Sequence, residues 1–291
     1  SENKSEQKNP GESTYKFFQE NSNYFDEIEL VSEQLAKELS YDPFNVHHAL
    51  VSRLENRLGY KVETLPVEQT GDSLRLWNKE EKEILLSQVL DFKNRNFHLA
   101  HMICLIEFPD VIKELTSSYK FPNLEHEIHC QTELANYFAA ALLMPYKSFQ
   151  DQAEKCRYDL DRVAAAHAVS FEQVAQRLTT MQRDNQKGIP FFFLRVDKTG
   201  KITKKFNAMS VNIAEQGDSS PVKNIHTSFR TPGVILPQVI ELADKQKYVT
   251  FCRTTERPVY SVATQDRRLA IAMGCELRYA SRIVYADTLS V

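Results

Sequence analysis

A chain of 291 residues has room for about two domains. Its 26% charged and 42% hydrophobic residues are those of an ordinary globular protein, and a net charge of −3 excludes the basic body of a dedicated nucleic-acid binder. No apolar run approaches the roughly 20 residues that span a bilayer, and there is no secretory apolar segment, so no membrane role is expected.

Residues 1–14, SENKSEQKNPGEST, are polar with Pro and Gly and read as a disordered linker or tail. From about Tyr15 the pattern turns helical. FNVHHALVSRLENRL (44–58) carries apolar residues at helical spacing and stops at Gly59. YKVETLPV alternates like a strand, and SLRLWNKEEKEILLSQVL reads as a strand, a turn and a second strand. RNFHLAHMICLIEF is a strongly apolar helix, and ELANYFAAALLM is another that ends at Pro145. YDLDRVAAAHAVSFEQVAQRLTTMQR (158–183) is two helices joined at AHAVS, with Ser170 and Gln173 spaced as a capping box. The character then changes. PFFFLRVDKTGKITKKFNA is strand, tight turn and strand, and VILPQVIEL, KYVTFCRTTE and RRLAIAMGCEL continue as strands. A boundary near Gly188 separates residues 15–187, helices with a small sheet, from a sheet-rich domain at 188–291. The five cysteines (104, 130, 156, 252 and 275) are widely spaced with no Cys-x-x-Cys, as expected of reduced thiols in a cytoplasmic protein.

Arg95–Glu107, RNFHLAHMICLIE, has the frame of a zinc-peptidase helix without its chemistry. Such a helix carries His-Glu-x-x-His, two ligands one turn apart and a general base. Here His101 opens the pattern, Met102 stands at the Glu position and Leu105 at the second His. His98 and His101 form one i,i+3 pair and His126 and His129 another, with Cys130 adjacent. Four imidazoles can bind a transition metal, but no carboxylate completes a familiar ligand set, and hydrogen-bonded histidines are the simpler reading. LDRVAAAHAVSFEQVAQRL has the rhythm of a DNA-binding helix-turn-helix. Only Arg177 and Arg183 are basic in its second half, so a structural helix pair is the stronger reading.

Several stretches together resemble the short-chain fatty acyl-CoA regulators. They are RNFHLAHMICLIE, ANYFAAALLMPY (135–146), RYDLDRVAAAHAVSFEQVAQRLTTMQR (157–183), GIPFFFLRVDKTGKITKKFNA (188–208), IHTSFRTPG (225–233) and MGCELRYASRIVYADTL (273–289). The resemblance implies an α+β chain: a helical, degenerate zincin-like (IrrE/ImmA-like) domain, then a mixed or antiparallel sheet domain, GAF- or PAS-like. It implies the effector-binding and dimer-forming region of a bacterial transcriptional regulator, whose XRE-type helix-turn-helix for DNA would lie before residue 1. It implies a short-chain acyl-CoA as effector, no catalytic residue and no metal. Where zinc-binding relatives have a ligand Glu, this chain has Thr132, with Glu133 beside it on the other face. The family pattern Cys-Pro-x-Trp-x-x-His is kept at Pro221 and His226 but has Ser220 and Lys223 at the Cys and Trp positions.

The residues expected to contact the effector are Phe191, Phe193, Arg195, His226, Phe229, Arg230, Arg253 and Cys275. The Phe191–Phe193 run reads first as a strand buried on both faces, and secondly as one wall of a pocket for an acyl chain. Lys204, Lys205, Arg230, Arg253, Arg257, Arg267 and Arg268 are the basic candidates for phosphates. His226 stands as core or pocket, and Cys275 as a buried thiol beside a close backbone approach at Gly274. Two other classes remain: a metal-dependent peptidase with atypical ligands, and a protein-interaction module without a small-molecule ligand.

Overall fold

The computed structural model describes residues 9–211, 225–242, 244–256 and 268–290. Asn9 and Pro10 start the first helix, α1 (Pro10–Glu20): the Asn9 side chain accepts from the Gly11 amide and Pro10 occupies the first turn, where its missing N–H costs nothing. The polar segment expected as a tail therefore enters a helix at its tenth residue. Its hydroxyls are matched inside the fold, Ser13 to His126 at 2.6 Å and Thr14 to His129 at 2.7 Å.

The helical part continues with α2 (Asp26–Glu38), α3 (Val46–Ser52) and a π turn at Arg53–Arg57. Strands β1 (Lys61–Leu65), β2 (Arg75–Asn78) and β3 (Glu83–Ser87), with the short helix α4 (Val67–Thr70) between the first two, form a sheet of order β1-β3-β2. Then come α5 (Phe92–Glu107), α6 (Pro109–Ser117), α7 (Leu124–Leu143), α8 (Tyr146–Lys155), α9 (Leu160–His167) and α10 (Phe171–Leu178). Helix α7 is the axis of this part. Asn123 caps it by accepting from the His126 amide, and its run Ala139-Ala140-Ala141 presents small side chains to its neighbours. The α9–α10 turn has Ala168 in the left-handed region and the full Ser170/Gln173 capping box.

A buried ion pair fixes α10. Arg177 donates to both oxygens of Glu29 on α2 at 2.7 and 2.8 Å, and neither side chain is exposed. Arg177 also donates to the Met144 carbonyl and to Thr180, while Tyr137 on α7 donates to Glu29 at 2.5 Å. One cation thus ties α2, the end of α7 and α10 together, and it cannot reach a phosphate. Arg183 is likewise held by Glu33 and Tyr24. Neither Arg177 nor Arg183, the basic residues that follow Ser170, is free for DNA.

The C-terminal part is a five-stranded antiparallel sheet of β4 (Phe192–Val196), β5 (Ile202–Asn207), β6 (Leu236–Glu241), β7 (Lys247–Glu256) and β8 (Arg268–Glu276), in the order β5-β4-β8-β7-β6. Alternation sorts its faces. Phe191, Phe193, Phe206, Phe251, Ile271, Met273 and Cys275 join the core of the helices, where Phe206 meets Phe18 on α1 at 5.0 Å between ring centres. Phe192, Leu194, Val196 and Ala272 form a second core on the other face, with Ile225 of the short helix α11 (Ile225–Ser228) and with Phe229. A Cβ at Gly274 would lie 2.4 Å from the Phe192 ring and 2.8 Å from the Val249 carbonyl oxygen, so the expected close approach is made by that ring and that strand. Beyond β8, two 3-10 turns fold back: Arg157 grips Asp287 through two bonds of 2.7 Å, and Tyr285 accepts from the Leu160 amide. The core therefore runs unbroken across the boundary near Gly188. Among the described residues no helix is long and apolar enough to cross a membrane.

Replacing Arg177 by Met strands the Glu29 carboxylate in the core, and urea unfolding should show a loss of about 3–5 kcal/mol. The double variant Glu29→Leu/Arg177→Met should lose clearly less than Arg177→Met alone, because no charge is left unpaired.

Candidate functional site

Between the helices and the large sheet lies a cavity of about 790 Å³. Its floor is α5 and α7, with His98, His101, Thr132 and Asn136; Leu74 and Arg75 of the small sheet close one side. Helices α9 and α10 close another with Asp161, Ala165 and Glu172, and the large sheet contributes Arg195, Lys204, Thr255 and Glu256. The volume falls within the range of small-molecule sites.

Helix α5 is aimed by its cap, Asp91, which accepts from the Asn94 amide. His98 and His101 face the cavity, while Met102 is fully buried in the core and Leu105 packs against it. The positions of a peptidase base and second ligand therefore belong to the packing side of the helix. Thr132 lines the cavity and turns its hydroxyl to the Ile128 carbonyl. Its neighbour Glu133 points elsewhere, to Lys204 at 3.2 Å.

A polar chain crosses the site. Lys204 on β5 meets Glu133, Glu133 is hydrogen-bonded to Asn136, and the Asn136 amide oxygen lies 2.8 Å from His101 Nδ1. Burial pushes the Glu133 carboxyl up, but Lys204 and Asn136 outweigh it and hold it below the usual range. Burial, with help from Arg75, lowers His98 to about 4 and His101 to about 3. Both rings are neutral near pH 7. His101 donates through Nδ1 to Asn136 and keeps Nε2 as an acceptor. His98 Nδ1 accepts from Arg75 Nη1 over 3.4 Å, which leaves its proton on Nε2. An imidazole held at so low a pKa is a poor general base at neutral pH. His126 and His129 are engaged separately with α1, away from this cavity, and among the described residues no three His, Cys, Asp or Glu side chains are grouped to hold a metal ion.

Of the eight residues expected to contact an effector, Arg195 lines the cavity, bonded to Glu172 on α10 at 2.9 Å. Arg253 stands close by, its guanidinium paired with Asp161 at 2.7 and 2.8 Å and stacked over Phe171, while its strand neighbours Thr255 and Glu256 line the wall. Phe191 and Phe193 are fully buried beneath the sheet. Cys275 is buried too, and burial raises its thiol to about 12, which makes it inert. His226, Phe229 and Arg230 lie together on the opposite face, His226 and Arg230 exposed and Phe229 against the second core. Ser220, Pro221, Lys223, Arg257 and Arg267 lie outside the described residues. Arg75 and Thr255 carry no motif, and Asn136 was legible only as a member of the stretch ANYFAAALLMPY. Lys204 was legible only as one basic residue among several.

Fold and site define a peptidase-type helical frame that lacks the catalytic pair and shares one core with an antiparallel sheet. Comparison with known proteins gives this class a family. Residues 55–179 match the IrrE N-terminal-like domain, and residues 180–291 match the short-chain fatty acyl coenzyme A regulator C-terminal domain. The chain belongs to the short-chain fatty acyl coenzyme A regulator family. It is 31% identical over 283 residues to the HTH-type transcriptional regulator RamB of Mycobacterium tuberculosis, and 34% identical over 282 residues to a propionyl-CoA carboxylase regulator of Cereibacter sphaeroides. Each match takes in 97% of this chain and 59% of the relative, so the chain spans about three fifths of the length of these curated relatives. A solved Mycobacterium tuberculosis transcriptional regulator superposes with a TM-score of 0.90 at 29% identity, covering 97% of this chain and 85% of that one.

The two histidines make stability depend on pH. Their folded pKa values lie below the ordinary 6.5, so the unfolded chain binds more protons and stability falls as pH drops from about 6.5 towards 4. Each ring contributes up to about 1.4 kcal/mol per pH unit in that window and nothing above it. Urea unfolding of His98→Gln/His101→Gln should show a shallower loss between pH 6.5 and 4.5 than the parent chain; parallel curves would contradict the assignment.

Proposed function

We propose that this chain is the effector-binding region of a bacterial transcriptional regulator, and that the cavity between the helices and the large sheet receives a short-chain acyl-CoA. The observation that carries this reading is the make-up of the cavity. Helical, small-sheet and large-sheet residues meet around one space, with apolar Leu74, Phe97 and Ala140 beside Arg75, Arg195 and Lys204, and with no catalytic set. Apolar lining suits a short acyl group, and basic side chains suit phosphates. The names of the relatives support transcriptional control, and one of them names a propionyl-CoA enzyme as its target.

A ligand that touches three layers binds best when they hold one relative arrangement. It shifts the population toward that arrangement by its differential affinity. In the whole regulator this shift would change the spacing of DNA-binding heads in a homodimer. The peptidase alternative loses its chemistry to Met102, Leu105 and Thr132.

Thermal unfolding with acetyl-, propionyl- and butyryl-CoA, free CoA and the free acids tests the reading. A ligand specific for the native state stabilises by about 2.7 kcal/mol at a hundredfold excess over its dissociation constant. One short acyl-CoA should raise the melting temperature, and Ala165→Trp, at an exposed position of the cavity wall, should abolish the shift. No shift with any CoA ester would overturn the proposal.

A further inference from the structure

Arg75 differs from the other cations around the cavity. Arg195 faces Glu172, Lys204 faces Glu133 and Arg253 faces Asp161, each within ion-pair distance. Arg75, half-buried on β2, has no carboxylate within that distance among the described residues. Its polar neighbour is His98, an uncharged ring, and burial lowers the guanidinium's affinity for its proton with no acid to offset the effect. A guanidinium taken partly out of water without a counter-ion is costly, and an anion arriving in the cavity removes that cost. The place is specific. Arg75 sits beside the α5 histidines, on the side of the helix that carries His98 and His101 into the cavity.

We infer that Arg75 is the anion anchor of the cavity: its guanidinium grips a carboxylate or phosphate oxygen of the ligand, and the His98 Nε2–H supplies a neutral donor beside it. This rests on the cavity being the effector site, and it adds the group of the ligand that would lie against α5 at His98. A guanidinium fork suits both oxyanions, and two sources are distinguishable: the phosphates of a CoA ester, or a free carboxylate.

Binding can be followed on the intact chain through its single tryptophan, Trp77, two residues along the same strand and therefore on the same strand face as Arg75. The titrants are pyrophosphate, propionate and the acyl-CoA panel. At least one anion should bind, in a manner weakened by salt, with affinity at least tenfold lower in Arg75→Gln and partly retained in Arg75→Lys. Pyrophosphate binding assigns the anchor to the CoA end, and propionate binding alone assigns it to a free acid. Without ligand, Arg75→Gln should melt no lower than the parent chain, because an uncompensated, half-buried charge has gone; a merely structural Arg75 would make the variant less stable. If an acyl-CoA binds the parent chain and Arg75→Gln with equal affinity, the anchor is overturned and the cavity reading stands. If an anion binds through Arg75 while no CoA ester does, the anchor stands and the acyl-CoA reading falls.

Discussion

The contact between Arg177 and Glu29 sets the position of everything around the cavity. Two opposite charges without solvent contact are only worthwhile when each is fully bonded, and here the guanidinium reaches Glu29, Met144 and Thr180 while Tyr137 completes the carboxylate. Net stabilisation from such a pair is small compared with apolar packing of the same volume. What it supplies is geometry. Helix α10 can sit in only one place against α2 and α7, and its N-terminal end, with Phe171, Glu172 and Gln173, becomes the cavity wall.

From that wall the large sheet is reached by a second, more exposed pair, Glu172 with Arg195, and by Asp161 with Arg253. These bonds are weaker, since their carboxylates are partly in water. The cavity is thus bounded by a rigid seam on the helical side and a looser one on the sheet side. The chain from Lys204 through Glu133 and Asn136 to His101 crosses between them. A ligand in this space acts on both seams at once, which is the physical requirement for converting binding into rearrangement. Beneath the sheet, Phe191, Phe193, Phe206 and Phe251 join the helical core, so the two family domains cannot move as independent bodies without exposing aromatic surface.

Much of this was legible in the sequence. Periodicity marked α5, α7 and the α9–α10 pair, and the Ser170/Gln173 box was read with its partners. Apolar and β-branched runs between turn signals marked the strands from Phe192 to Glu276, and the peptidase-type frame read at RNFHLAHMICLIE is borne out by the IrrE-like match. The start of α1 was hidden by composition: residues 1–14 are polar enough for a tail, and the signal at Asn9-Pro10 is only two residues long. Helices α6 and α8 escaped because each begins at a proline, Pro109 or Pro145, that reads as the end of the helix before it. The cavity itself was out of reach. Arg75, Asn136 and Lys204 come from β2, α7 and β5, and no local pattern states that residues about 60 positions apart will face one space. Basic residues of the C-terminal half look alike in sequence; only the fold separates Arg195, on the cavity, from Arg230, exposed on the opposite face.

Hydrogen exchange of the intact chain with and without a short acyl-CoA tests the central claim most directly. Ligand in the cavity should slow exchange in β2, in α5 around His98 and His101, at the start of α10 and in β5 together, because these segments wall one space. Protection confined to α11 and the turn around Phe229 and Arg230, on the far face of the sheet, would contradict the account and move the effector site there.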